Sequence, residues 1–339
     1  MRAESKLGIL IPVFNGERYL PSLLSQLEHA CNHLLQHTCI SHVEVIWIDD
    51  GSTDTTLQLL YRYNPTHVLN RIVHFEVNQG VACALNAGIE LAQEMQFVAR
   101  VDVDDELPLE RFVKQIEFLH RNAAVDVVGC SVEIPQGNFS RIVQFPCDSD
   151  QVMLDMMFYC SLAHPTLMFK GSCLKRVRYD ESKLCEDYAL WLKAVVVEQS
   201  LIAANLSAEE CLVPLRRRAS SVSRRLVNIE ESRELILNTW KSFGIDMDLE
   251  TLEFLCRKAD SSSSAPSLFV LNRAFESLIQ LERVFHDKVK NCSLLKEFID
   301  TRLAEIVIFD LKSNPSVSHS LLPRFLSRYP SKQLLHRLY

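Results

Sequence analysis

Residues 97–122, FVARVDVDDELPLERFVKQIEFLHRN, hold both halves of the fold question. The start, FVARVDV, has the length and apolar content of a buried strand, and PLERFVKQIEFLHRN carries apolar residues at helical spacing. Between them Asp102, Asp104 and Asp105 crowd into four positions. The same succession recurs upstream. LGILIPV (7–13) precedes the helical ERYLPSLLSQLEHACNHLLQ, VEVIWI (43–48) precedes GSTDTTLQLLYRY, and RIVHFEV (71–77) precedes NQGVACALNAGIELAQEM. VDVVGC (125–130) forms a fifth strand pattern. Strands alternating with helices predict an α/β fold with a parallel, doubly wound sheet. Ligands of such sheets bind beyond the carboxyl ends of the strands, so the informative loops follow residues 13, 48, 77 and 101.

The chain has 339 residues, enough for one large domain or two modest ones, with 47% hydrophobic and 23% charged residues. A net charge of −7 argues against nucleic acid as a partner. The N-terminal apolar run is short and passes straight into patterned sequence, so no signal peptide is expected, and no apolar run reaches the roughly 18 residues of a membrane span. Eleven scattered cysteines without a C-x-x-C pair are expected to be reduced thiols in a cytoplasmic protein, mostly filling core positions, with no zinc site. The alternation stops near residue 145, and helical patterns dominate from about 228. KADSSSSAPS (258–267) has linker composition. The expected division is a domain over 1–227 and a helical extension over 228–339, with the Ser-rich linker near 260–267.

The four informative loops carry PVFNGE, DDGSTD, NQG and DVDD. Neither G-x-G-x-x-G nor G-x-x-x-x-G-K-[ST] occurs. Helix capping by Ser52, Asp54 and Asn78 is the plainest use of these polar residues. It leaves Asp49-Asp50 and Asp102-Asp104-Asp105 unexplained. In an extended strand alternate side chains share a face, which would aim Asp102 and Asp104 the same way. Paired carboxylates resist joint ionisation, and a hard cation such as Mn²⁺ or Mg²⁺ relieves that and offers a positive surface to phosphate oxygens.

Five ordered segments carry a family resemblance: ILIPVFNGERYL, VIWIDDGSTDTT, NQGVACALNAGI, VARVDVDDELPLERFVKQIEFLHRNAAVDVVGC and AHPTLMFKGSCLKRVRYDESKLCEDYALWLKAV. Together they resemble the inverting family-2 glycosyltransferases, over about residues 6–226. The resemblance implies a GT-A type, Rossmann-like, mostly parallel sheet flanked by helices. It implies a UDP-sugar donor, a Mn²⁺ or Mg²⁺ cofactor and a hydroxyl acceptor on a glycan, a lipid-linked sugar or a protein. The activity would be that of a hexosyltransferase or N-acetylhexosaminyltransferase.

The resemblance also implies roles. The nucleotide falls to Pro12, Val13, Asn15, Glu17, Asp50, Asn78, Asp102 and Val103, with Asp50 favoured over Asp49 for the base. Asp104 and Asp102 fall to the metal. Asp187, beside Glu186, falls to the general base, and His164 to the acceptor side. Arg100 suits an ion pair with the neighbouring acids, while Asp105 as a helix cap and Arg111 suit structural roles. Family members commonly carry Y-R-x-H-x-x-S-x-S after the E-D helix, whereas this chain has LRRRASSVS (215–223), with Arg218 at the His position. A guanidinium cannot ligate a cation but binds phosphate through paired hydrogen bonds, so Arg218 is expected on the diphosphate.

Two other classes compete. A phosphohydrolase using Asp102 as nucleophile and Asp104 as acid would want Thr or Val where Glu106 stands. A non-catalytic nucleotide-sugar binding protein would have no use for Glu186-Asp187. The C-terminal stretch has Lys312, Arg324, Arg328, Lys332 and Arg337 interleaved with Leu321, Leu322, Phe325, Leu326, Leu334 and Leu338. Its composition suits either peripheral contact with an anionic membrane or packing on an acidic surface of the catalytic domain.

Overall fold

The computed structural model describes residues 5–137, 139–216, 221–256, 266–313 and 321–328, with backbone only for 221–228 and 311–313. Contacts divide the chain into two units. The first comprises residues up to Met156 together with Cys160–Ser232, and the second Met157–Tyr159 together with Arg233 onward.

The first unit is built on one nine-stranded sheet. Its elements run β1 (Ser5–Val13), α1 (Leu20–His37), β2 (Ile40–Asp49), α2 (Thr56–Arg62), β3 (Leu69–His74), α3 (Val81–Leu91), β4 (Phe97–Arg100), α4 (Arg111–Arg121), β5 (Val127–Gln136), β6 (Phe139–Val143) and α5 (Ser149–Asp155). β7 (Met168–Lys170), α6 (Glu186–Trp191), β8 (Ala203–Leu206) and β9 (Leu212–Pro214) follow. The strand order β3-β2-β1-β4-β7-β5-β6 places β1 in the interior, parallel to both β2 and β4. That position explains its unbroken apolar sequence, since both faces are covered. Leu7, Ile9, Ile11 and Val13 pack with the apolar stripes of α1 and α4. On the other face α3 lies so close that a methyl group on Gly88 would stand 3.0 Å from Ile48 and 3.2 Å from Leu10.

Three departures from the sequence reading concern the sheet. β3 ends at His74, three residues before the apolar pattern does. β4 ends at Arg100, so the acids beyond it leave the strand altogether. β7, only three residues long, inserts antiparallel between β4 and β5 and makes the sheet mixed. The helix begun at Glu186 also changes winding, continuing from Leu192 to Val197 as a π-helix. All eleven cysteines are free thiols, but five, not most, are buried.

The second unit is helical. α7 (Ser221–Ser242) crosses the division, and α8 (Leu249–Cys256), α9 (Leu268–Phe285), α10 (Cys292–Ser313) and α11 (Leu321–Leu326) follow. The fully buried Trp240 donates Nε1–H to the Met157 carbonyl at 2.8 Å, and Arg302 stacks 3.9 Å from the Phe158 ring. Ser267 caps α9 at Val270, while most of the Ser-rich linker lies outside the described residues.

The described part of the C-terminal stretch is committed inside this unit. Leu321 and Phe325 are buried. Arg324 pairs with Glu276, and Arg328 pairs with Glu282 at 2.6 Å and Asp300 at 3.3 Å. The acidic partners of these two arginines therefore belong to α9 and α10 of this same unit, not to the first unit. Lys332, Leu334, Arg337 and Leu338 lie outside the described residues, as does the Lys312 side chain.

Candidate active site

The loops after β1, β2 and β3 are stitched to one another at the carboxyl edge of the sheet. Asn15 adopts the left-handed conformation (φ 51°), which Asn tolerates better than most residues. Its backbone N–H donates to Ser52 Oγ at 2.9 Å, and its Oδ1 accepts from the Thr53 N–H at 2.8 Å. Gly16 N–H donates to Thr56 Oγ1 at 2.7 Å. Glu17 Oε2 accepts from the Thr55 N–H and hydroxyl, and the Glu17 N–H donates to Asp54 at 3.2 Å. Asp50 is buried, and its carboxylate accepts from Gln79 N–H at 2.7 Å, Gly80 N–H at 2.9 Å and the Asn78 amide at 2.9 Å. Three donors leave one of a carboxylate's roughly four acceptor positions for a ligand. Asp49 is fully buried and holds His74 Nδ1 at 2.7 Å, with Ser52 N–H at 3.3 Å. Asp50 is thus the less enclosed of the pair.

This stitching replaces the capping expected of Ser52 and Asn78. α3 starts from Gly80 and α2 from Thr55, neither with a side-chain cap, because those polar groups are spent between loops. Gly51 makes the stitching feasible: it has φ 72°, and a methyl group there would lie 2.6 Å from the Asn78 nitrogen. Gly51→Ala is expected to destabilise the first unit by about 2 kcal/mol or more through strain and overlap. A urea midpoint unchanged from wild type would show that the loops can rearrange freely.

The acid cluster sits on a turn. The Asp105 N–H donates to the Asp102 carbonyl at 3.3 Å, so Asp102 and Asp104 are not alternate members of an extended strand. Asp102 forms an ion pair with Arg100 at 2.7 Å, as the sequence led one to expect. Asp104 is partly exposed, and the Val103 side chain is buried against Gly16, leaving only its backbone for a ligand. Asp105 caps no helix. It is buried and accepts the Arg216 N–H at 2.9 Å, and burial, together with Asp102 and Asp104, raises its pKa to about 7. Glu106 also pairs with the Arg216 side chain, and its N–H donates to the Pro214 carbonyl. The turn is thereby fastened to the end of β9. Arg111 is structural: fully buried, it donates to the Arg100 carbonyl at 2.6 Å and lies 3.2 Å from Gln115 Oε1.

Among the described residues, no group of three His, Cys, Asp or Glu side chains gathers as a cation site. The protein's own offer is the two carboxylates Asp102 and Asp104, the first sharing one oxygen with Arg100. That fits the hard divalent cations that bind through one or two carboxylates plus substrate phosphates, and does not fit a resident all-protein cage.

Arg100 ties this turn to α6. Its charge acts on Asp102, Tyr179, Asp105 and Glu186, and its Nε and Nη1 groups are buried without a hydrogen-bond partner. At the start of α6 the Cys185 N–H donates to Glu231 at 2.6 Å, fixing the turn that carries Glu186 and Asp187. Burial, then Asp187, raises the Glu186 pKa to about 7. Asp187 keeps about a third of its side chain open (32%), yet dense surroundings remove its carboxyl from bulk water and raise its pKa. Its Oδ1 accepts the Tyr188 N–H at 2.7 Å, while Oδ2 lies 3.9 Å from Nδ1 of the buried His164. The structure therefore groups Asp102, Asp105, Glu186, Asp187 and His164 around Arg100, and groups Val13, Asn15, Glu17, Asp50 and Asn78 in the stitched loops, with Pro12 half-buried at the end of β1. Arg217 and Arg218 lie outside the described residues. Tyr179 and Glu231 escaped the sequence reading. The one signal available for Tyr179 was Asn86, an amide within a helical pattern, which holds both its backbone N–H and carbonyl.

The acids and amides thus gather at the carboxyl edge of a mostly parallel α/β sheet, where such folds bind their ligands. Residues 8–163 match the family model described as Glycosyl transferase family 2. The chain is 26% identical to the bifunctional glycosyltransferase pgtA of Dictyostelium discoideum over 87% of its own length, and spans 46% of that protein. It is 25% identical to the putative teichuronic acid biosynthesis glycosyltransferase TuaG of Bacillus subtilis, over 64% of this chain and 81% of that one. S. aureus TarS 1–349, crystallised with UDP-GlcNAc, shares the fold with a TM-score of 0.56 at 20% identity, covering 90% of this chain and 86% of that one.

Proposed function

We propose that the protein is a metal-dependent inverting glycosyltransferase that moves a sugar from a UDP-sugar to a hydroxyl acceptor. The observation that carries this is the clustering of Asp102, Glu186 and Asp187 about the buried Arg100, next to a stitched loop edge with the open acceptor position of Asp50. The UDP-GlcNAc complex of the TarS structure supports a nucleotide-sugar donor. In this reading the stitched loops hold the uridine, with Asp50 accepting the N3–H of the base. Asp104 and Asp102 would hold Mn²⁺ or Mg²⁺, which supplies positive charge to the departing diphosphate. Asp187 Oδ2 takes the proton of the acceptor hydroxyl as its oxygen bonds to the anomeric carbon. The bond from that carbon to the diphosphate breaks, and its electron pair leaves with UDP. One displacement of this kind inverts the anomeric configuration. Residues 1–227 form the catalytic domain and 228–339 the helical extension. None of the described helices is long and apolar enough to cross a membrane. UDP release across a panel of UDP-sugars with and without Mn²⁺ tests the activity, and the absence of turnover alongside UDP binding would leave a binding protein.

Arg218 completes the diphosphate site. This reading of Arg218 rests on its place in the motif, two positions after Arg216, which is bonded to Asp105 and Glu106. Arg218→Ala is expected to weaken UDP binding by about 1.5–3 kcal/mol, the range for a hydrogen bond to a charged group. Arg217→Ala should do much less. Calorimetric titration of both variants measures this, and two small, equal effects would remove Arg218 from the site.

A further inference from the structure

We propose that Tyr179 and His164 are positioning residues that aim the proton-accepting carboxylate of Asp187, an inference that rests on Asp187 being the general base. Tyr179 is buried, and its hydroxyl lies 2.8 Å from His164 Nε2. Burial raises the Tyr179 pKa, so the hydroxyl keeps its proton and is able to donate it to Nε2, the direction assigned to it in this arrangement. Burial, with Arg100 nearby, holds the His164 pKa well below its ordinary value, so the imidazole is neutral and carries one proton. With Nε2 accepting, that proton is on Nδ1, the nitrogen facing Asp187 Oδ2. Asn86 fixes the Tyr179 backbone from both sides, and Trp191 packs edge-on to the imidazole. In this arrangement the chain Tyr179–His164–Asp187 runs in one direction and ends in an Nδ1–H 3.9 Å from the reacting oxygen.

The last gap, 3.9 Å, is longer than a hydrogen bond. Catalytic hydrogen bonds are often long before substrate arrives and tighten in the complex. Oδ1 is already anchored to the Tyr188 N–H, so a small turn of the carboxyl brings Oδ2 within reach of Nδ1. The N–H then favours the carboxylate form and fixes its lone pair toward the acceptor. The other charged or titratable groups around Asp187 are Arg100 at the end of β4, Asp102 just beyond it, Glu186 on α6, and the thiols of Cys160 and Cys185. Among the described residues the hydrogen-bond partner of His164 Nε2 is Tyr179.

The test uses the full chain, UDP-GlcNAc and water as the acceptor, read as UDP release, together with ¹⁵N NMR of histidine-labelled protein. Wild type should show His164 as the Nδ1–H tautomer at neutral pH. Tyr179→Phe should populate both tautomers, lower kcat about tenfold with KM for the donor within about twofold, and raise the acid limb of the pH profile by roughly one unit. His164→Asn, whose amide nitrogen can stand near the Nδ1 position, should retain most of kcat, whereas His164→Leu should lose it. An unmoved acid limb and a single tautomer in Tyr179→Phe, or equal losses in His164→Asn and His164→Leu, would overturn the proposal. Asp187→Asn run alongside separates the cases: an active Asp187→Asn variant refutes the base itself and this inference with it, while an inactive one leaves the His164 and Tyr179 results to decide.

Discussion

Asp187→Asn is expected to cut transfer by about 10²–10⁴, the usual contribution of a positioned general base, while UDP binds within a few-fold of wild type. The amide preserves the size of the side chain and the hydrogen bond accepted from the Tyr188 N–H, so folding should survive. It cannot take a proton at the position of Oδ2. Among the described residues the Asp187 carboxylate accepts from Tyr188 and faces His164, outside the loops proposed for the nucleotide. Wild-type activity should also fall at low pH. The base works only when ionised, and burial raises its pKa, so the rate drops as pH falls through a value above the ordinary aspartate range. Near-normal turnover by Asp187→Asn would dismiss the assignment, and a product of retained configuration by NMR would dismiss single displacement.

Chelation should have an effect of similar size. With EDTA present, turnover should fall to background, and Mn²⁺ or Mg²⁺ should restore it. Asp104→Ala should lose the metal-dependent part of UDP binding. The reason lies in the small number of ligands among the described residues: two carboxylates cannot satisfy a six-coordinate cation, so ion and diphosphate are expected to bind together. Isothermal titration of UDP with and without Mn²⁺ measures that linkage directly. Full activity in chelator would leave the acid turn with a purely structural task, held as it already is by Arg100 and Arg216.

The parallel half of the sheet was legible because β1, β2 and β4 are covered on both faces, and that burial writes continuous apolar runs into the sequence. β7 was not, since three residues cannot display a period. The loops were located correctly from strand ends, but their internal order was not visible. Asp54 looked like a cap, and it does accept the Thr56 N–H, yet it also reaches back to Glu17 across 37 positions. Asp102 and Asp104 were placed on one strand face, because an alternating V-D-V-D pattern resembles a strand even where the backbone turns. Asp187 stood out only through its motif. Tyr179 and Glu231 act through contacts 15 and 46 residues distant, and no local pattern marks such partners.

The reciprocal bonds between the first and second loops have a thermodynamic consequence. Asn15 and Ser52-Thr53, Glu17 and Asp54-Thr55, and Asp50 with residues 78–80 lock one another before any ligand arrives. The entropy of arranging three loops is discharged during folding, so association with the donor need only restrain the donor itself. The same economy makes the edge brittle. Each segment is held by the others instead of by a helix or strand of its own, so loosening one releases all three together.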